Sequence, residues 1–232
     1  MKPLGGRAYG SIAHLPESKL GIGDKRVNEG MARICWEKPR DKHDIVIVQE
    51  KVDGSCCAIA KVGGKILALT RAGYLAETSE FEQHHLFSAW VRDREHFFAM
   101  DMHEGERIVG EWIAQAHGTE YKNVKWPFIV FDLYRGPERV ELVEYQERVM
   151  KHPHSAYCFS MGPEAFPKED MLAVMSCGSW VGDGNGPIEG VVYRVYRKGK
   201  FDFAAKYVRG DYEPGKYLKG ITGHEDVWNW RP

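Results

Sequence analysis

Three short β-rich stretches follow one another early in the chain: Ile45–Gln49, Cys56–Val62 and Ile66–Thr70, with Gly63-Gly64 between the last two. Strands joined by so tight a turn pair antiparallel, because a parallel neighbour needs a long crossover. Further strands are predicted at Arg107–Ala114, Pro127–Tyr134, Ile188–Tyr196 and Phe201–Val208, the last two joined by the basic turn Arg197-Lys198-Gly199-Lys200. Helical spacing predicts a helix over His85–Met102, where Leu86/Trp90 and Phe87/Val91/Phe98 recur, and others over Glu141–Lys151 and Pro163–Met175. Strands outnumber helices and arrive as hairpins. The expected class is therefore α+β with antiparallel sheet, not a doubly wound parallel sheet. With 43% hydrophobic residues, 232 residues suffice for a sizeable core. Residues 1–44 are rich in Gly, Pro and charge and are expected to pack on a core spanning 45–209, with 210–232 as a tail.

Thirty-two basic against thirty-three acidic side chains give a net charge of -1, so no global field announces a nucleic-acid partner, and any such partner needs a local patch. No apolar run approaches the ~18 residues of a membrane span, and no signal-peptide core opens the sequence. The five cysteines are odd in number and form no CxxC pair. This predicts a reduced, cytoplasmic compartment without a disulfide framework, zinc site or membrane partner. His84, His85, His96, His103, His152 and His154 have no metal-ligand spacing and read as surface or capping residues.

The sharpest local signal is Lys51-Val52-Asp53-Gly54, directly after an apolar strand. A lysine at a strand end is held in place, and its amine becomes a nucleophile where burial or nearby cations depress its pKa. Alone, the tetrapeptide also reads as a hairpin turn with a solvated lysine. Its context is more specific. Thr70-Arg71-Ala72-Gly73, Val109-Gly110-Glu111, Phe131-Asp132, Glu189-Gly190-Val191-Val192 and Ala205-Lys206-Tyr207-Val208 follow in order, each on or at the end of a predicted strand. The series resembles the ordered motifs of the covalent nucleotidyltransferase superfamily (RNA ligases, DNA ligases and mRNA capping enzymes), and is most similar to phage and bacterial ATP-dependent RNA ligases. Tyr9-Gly10-Ser11-Ile12-Ala13-His14-Leu15-Pro16 near the start adds to that likeness.

The resemblance implies an antiparallel nucleotidyltransferase (adenylyltransferase) domain of the ATP-grasp-like DNA/RNA ligase type. Lys51 would attack the α-phosphate of ATP to form a lysyl–AMP, pass AMP to an RNA 5′-phosphate, and so allow sealing by a 3′-hydroxyl. Asp53, Arg71 and Lys206 would share the catalytic work, the two cations offsetting phosphate charge and lowering the pKa of Lys51. Glu111 and Glu189 would hold Mg²⁺ or Mn²⁺, Phe131 would stack on the base, and Glu50 would contact it. A carboxylate such as Glu111 within an apolar strand is costly unless used.

Two features depart from the family pattern. Lys206 lacks the second lysine of the common KxK motif, which leaves Arg209 as its substitute. Twenty-six residues follow Lys206, too few for the ~80–100-residue OB-fold that DNA ligases and capping enzymes append. The expectation is a minimal core without OB-fold, gripping RNA ends through its own surface, through residues 1–44 or through a partner protein. Between residues 194 and 219, eight Lys/Arg face three acids with tyrosines interleaved, which marks Arg194, Arg197, Lys198, Lys200 and Arg209 as RNA contacts. The rival readings are a DNA ligase, a GTP-dependent capping enzyme, and a relative that binds nucleotide or RNA without turnover.

Overall fold

In the computed structural model, which describes residues 1–183 and 186–232, the apolar run at 45–49 becomes strand β2 (Asp44–Lys51). It is buried on both faces: Ile45 and Ile47 enter one core while Val46 and Val48 enter another. Beside it in a five-stranded sheet lie β8 (Cys158–Gly162) on one side and β9 (Gly190–Arg197), β10 (Lys200–Val208) and the short β1 (Ala13–His14) on the other. A second five-stranded sheet runs in the order β4 (Lys65–Thr70), β3 (Ser55–Val62), β5 (Glu106–Trp112), β6 (Phe128–Arg135) and β7 (Glu138–Arg139). Among these strands every pairing is antiparallel except β1 with β10. The α+β antiparallel class holds.

Ile47 of the first sheet meets Cys57, Ile59, Trp112, Phe128 and Val130 of the second in one core, which α2 (Glu82–Arg92) completes with Phe87, Trp90 and Val91. The outer face of the first sheet is covered by α1 (Glu29–Trp36) and α5 (Lys168–Met175). Helix α1 lies in the stretch where the sequence offered no period. Asn28 starts it by accepting from the Met31 N–H, and Glu29 stands in its first turn.

Three helix predictions are corrected. The span 85–102 is two helices, α2 and α3 (Glu95–Asp101), broken at Asp93-Arg94, where Arg94 stacks over the Trp90 ring. The span 141–151 is one α-turn, α4 (Leu142–Tyr145), continued by a π-helical turn, Gln146–Met150. The span 163–175 is helical only from Lys168, because Pro167 stands at the cap with extended backbone and cannot continue a helix backwards.

The tail folds back on the second sheet. Val227 accepts from the Ala116 N–H, Asn229 and Trp230 donate to the Ala114 carbonyl, and the Trp230 ring meets Trp112 edge-on. A short helix, α6 (Lys219–Thr222), lies within it. Among the described residues no helix is long and apolar enough to cross a membrane.

Candidate active site

One end of both sheets gathers the residues predicted for catalysis and for nucleotide and metal binding. β2, β4, β5 and β10 finish there, while β3, β6 and β9 begin there, so motifs far apart in sequence meet around one cavity of about 630 Å³. Glu50, Lys51, Asp53, Arg71, Glu111, Phe131, Glu189 and Lys206 all line it.

The Lys51-Val52-Asp53-Gly54 segment is a crossover, not a hairpin, since β2 and β3 belong to different sheets. Gly54 is required by close approach: a Cβ there would lie 2.6 Å from the Trp112 carbonyl oxygen. Gly190 has the same reason, its Cβ falling 1.9 Å from the Tyr207 carbonyl oxygen. It pairs with Lys51 in register, which sets Glu189 beside the lysine.

The Lys51 ammonium donates to Glu189 at 2.6 Å. Burial alone would lower its pKa, but Glu189, Glu111 and Asp53 outweigh burial and hold it above the ordinary lysine value. The sequence expectation that Arg71 and Lys206 depress Lys51 is thus reversed: carboxylates, not cations, dominate its surroundings. Glu111 is half-buried on β5 and pushed up to about 8 by burial, Lys51 opposing and Glu189 and Asp53 adding to the rise. Glu189 is raised to about 7, again by burial against the pull of Lys51. Lys206 is held below its ordinary value by burial and then by the Lys51 charge. Among the described residues no group of three or more His, Cys, Asp or Glu is arranged to hold a metal ion, and the carboxylates lining the cavity are Glu50, Asp53, Glu111 and Glu189.

Arg71, just past β4, donates to the Gly10 carbonyl and the Ser11 hydroxyl, both at 3.1 Å, so residues 1–44 position it. Phe131 meets Tyr9 edge-on, with ring centroids 5.3 Å apart. The Glu50 carboxylate points away from Lys51, as strand alternation requires, and accepts from the Ser179 hydroxyl and the Trp180 N–H. The Asp53 carboxylate is also committed. It accepts from the Gly118 and Thr119 N–H groups at 2.8 and 2.5 Å and from the Tyr212 hydroxyl at 2.6 Å. It therefore ties the turn after β5 and the C-terminal segment to the crossover. Asp53→Ala strands these buried donors at ~1–3 kcal/mol each and is expected to cost about 3–5 kcal/mol in urea unfolding, with Tyr212→Phe costing less.

The predicted RNA-contact residues sit in different surroundings. Arg194 is buried, ion-paired with Asp132 at 2.9 Å and bonded to Gln49 at 3.0 Å. Arg197 is held by Asp41 and Asp44. Lys198 and Lys200 sit at the tip of the β9–β10 hairpin, Lys200 six residues along the strand from Lys206 and hence ~20 Å from it at 3.3 Å per residue. Arg194 lines the cavity wall, while Arg209 donates to the Ile188 carbonyl and pairs with Asp211. Charge counting along the sequence could not see partners recruited from 41, 44 and 132. Sequence reasoning also missed Gln49 and His117 in the cavity wall, and Tyr212, expected among the interleaved tyrosines of the RNA grip, lines the cavity instead. Gln49 was legible as the residue two before Lys51 on the same strand face; His117 carries no period.

The family model of RNA ligase matches residues 44–208. Naegleria gruberi RNA ligase with PPi aligns with TM-score 0.56 and 20% identity, over 94% of this chain and 63% of that one. A variant of the same enzyme with ATP and Mn aligns at 0.55 and 17%, over 84% and 59%. An archaeal ATP-dependent RNA ligase gives 0.54 and 19%, over 86% and 48%. These identities speak for the fold, and the chain spans between about half and five-eighths of the length of these proteins. No curated protein matches the sequence.

Proposed function

Because the chain belongs to the RNA ligase family, we propose that it joins RNA 5′-phosphate and 3′-hydroxyl ends at the expense of ATP through a lysyl–AMP at Lys51. The observation that carries this reading is the convergence on one cavity of Lys51, its partner Glu189 at 2.6 Å, Glu111, Arg71 and Lys206, each from a different segment. The Lys51 amine forms a bond to the α-phosphorus of ATP as the bond to the pyrophosphate oxygen breaks. AMP then moves to the RNA 5′-phosphate, and attack by the 3′-hydroxyl releases it. Lys206 and Arg71 offset charge on the phosphate oxygens. Phe131 and Tyr9 offer apolar ring surface to the base, and Gln49 and Glu50 bound the cavity near them.

A divalent cation suits the oxygen donors of Glu111 and Glu189, whose carboxyls burial pushes up to about 8 and about 7, so that a cation there would compete with protons. Bound there, Mg²⁺ or Mn²⁺ would supply positive charge to the phosphates. The two carboxylates would then hold Lys51 as an ammonium less strongly. Lys51 itself needs only to lose one proton.

The test is incubation with α-labelled ATP and Mg²⁺ or Mn²⁺. Label covalently retained on the denatured wild-type chain, and lost in Lys51→Ala, is expected. An unlabelled wild type overturns the reading in favour of a binding relative. Label from GTP instead of ATP, or sealing of nicked DNA but not RNA, would favour the capping and DNA-ligase readings.

A further inference from the structure

Beside the cavity lies an exposed face that this chemistry does not use. Tyr157 and Trp180 stack in parallel, ring centroids 4.1 Å apart and planes 9° apart, although they are 39% and 59% exposed. A second parallel pair, Trp126 and His154, stands at 4.5 Å and 10°. The backbone links the two. Val130 donates to the His154 carbonyl, Ala156 donates back to Val130, and Glu50 donates to the Tyr157 carbonyl, so 154–157 passes from β6 of the second sheet to β2 of the first.

Two lysines flank this row. The 122–126 loop is fastened to the segment after Trp180, where Asp183 donates its N–H to the Lys122 carbonyl, and a Cβ at Gly182 would strike that carbonyl oxygen. Lys122 and Lys125 are exposed and, among the described residues, form no ion pair, while Asp183 is engaged by the Asn123 side chain. The Arg94 guanidinium lies 5.6 Å from the Trp126 ring centre. Glu120 and Asp183 are the acids of this stretch. The row also reaches the reaction centre: Ala156 lines the cavity, and Glu50, next to Lys51, accepts from the Trp180 N–H.

We propose that this face is a track for single-stranded RNA, bases stacking on the Tyr157–Trp180 rings while Lys122 and Lys125 meet backbone phosphates. It rests on the ligase reading for its substrate and replaces the β9–β10 hairpin as the grip. A flat exposed ring pair with adjacent lysines suits a polyanion with stackable faces, because every base offers a π-face and every link a charge. A hairpin tip ~20 Å from Lys206, with Arg197 already paired, suits it less.

The experiment is fluorescence anisotropy of a labelled single-stranded RNA 12-mer on the full chain. Trp180→Ala and Tyr157→Ala are expected to weaken binding about 5- to 150-fold, the equivalent of ~1–3 kcal/mol per stacked base. Trp180→Phe restores most of it. Joint replacement of Lys122 and Lys125 by alanine lowers the slope of log affinity against log salt by about 1.4, at ~0.7 per phosphate. Replacement of Lys198 and Lys200 changes neither quantity. Wild-type affinity in the Trp180 and Tyr157 variants, or weakening only in the hairpin variant, overturns the proposal. So does a Trp180→Ala chain that changes from dimer to monomer in sedimentation while binding RNA normally, which makes the face a contact between copies. The label test at Lys51 is read separately, so a chain that binds RNA here without adenylylation refutes the ligase reading and leaves the track standing.

Discussion

Lys206→Ala is expected to reduce adenylylation roughly 1,000-fold, the size of effect seen when one preorganised charge-stabilising group is removed from an active site, with an unchanged far-ultraviolet circular dichroism spectrum. The strand does not depend on the side chain. Lys206 pairs with Val192 on one side and His14 on the other, and its carbonyl accepts from the Leu15 N–H, all through the backbone. The ammonium, by contrast, has no stand-in. Residues two away share its face of β10, and these are Ala204 and Val208. Arg209, the substitute suggested by the sequence, spends its guanidinium on Asp211 and the Ile188 carbonyl. Arg209→Ala is the control and should cost less than about tenfold, as expected for a partly exposed ion pair. A labelled adduct formed at the wild-type rate by Lys206→Ala would remove Lys206 from the mechanism.

What the sequence disclosed and what it hid divide along a physical line. Seven strands were legible because alternation and apolar runs are local properties, and their ends carried the residues that line the cavity. The ordered motifs brought Lys51, Arg71, Glu111, Phe131, Glu189 and Lys206 to one list before any geometry was known, and the fold brings them to one place. Partnership was not legible. Arg194 looks like a solvated strand residue until Asp132 is seen beneath it, and Asp53 looks reactive until Gly118, Thr119 and Tyr212 are found on its oxygens. Such contacts join residues from distant parts of the chain and leave no trace in spacing. The same blindness reversed the electrostatics of Lys51, since counting cations in motifs says nothing of which carboxylate lies at 2.6 Å. Helix α1 and strand β8 were hidden for a milder reason: each is short, and tertiary packing, not periodicity, holds it.

Glu111→Gln is expected to stabilise the protein at alkaline pH while reducing adenylylation by at least about 100-fold. The sign follows from where the proton resides. With a folded pKa of about 8 against the ordinary 4.5, the folded chain keeps a proton on Glu111 that the unfolded chain has released. Its stabilising share is complete below about pH 4.5 and is lost as pH rises through about 8. Glu189, at about 7, acts in the same direction. Between pH 6 and 8 the Glu111 loss alone amounts to about 2 kcal/mol at ~1.4 kcal/mol per pH unit, or roughly 4–8 °C in Tm for a chain of this size. Thermal melts should therefore show wild type falling over that range and Glu111→Gln falling less, the amide having no charge to bury. Mg²⁺ or Mn²⁺ at pH 8 should restore the wild-type Tm, because a cation that binds only the folded chain takes the place of the missing proton. It should do little for Glu111→Gln, which has lost one of two donors. A wild-type Tm flat from pH 6 to 8 and indifferent to divalent cations would mean that Glu111 is already ionised in the folded chain. Lys51 would then face two full negative charges, and the account of how its amine is released would have to be abandoned.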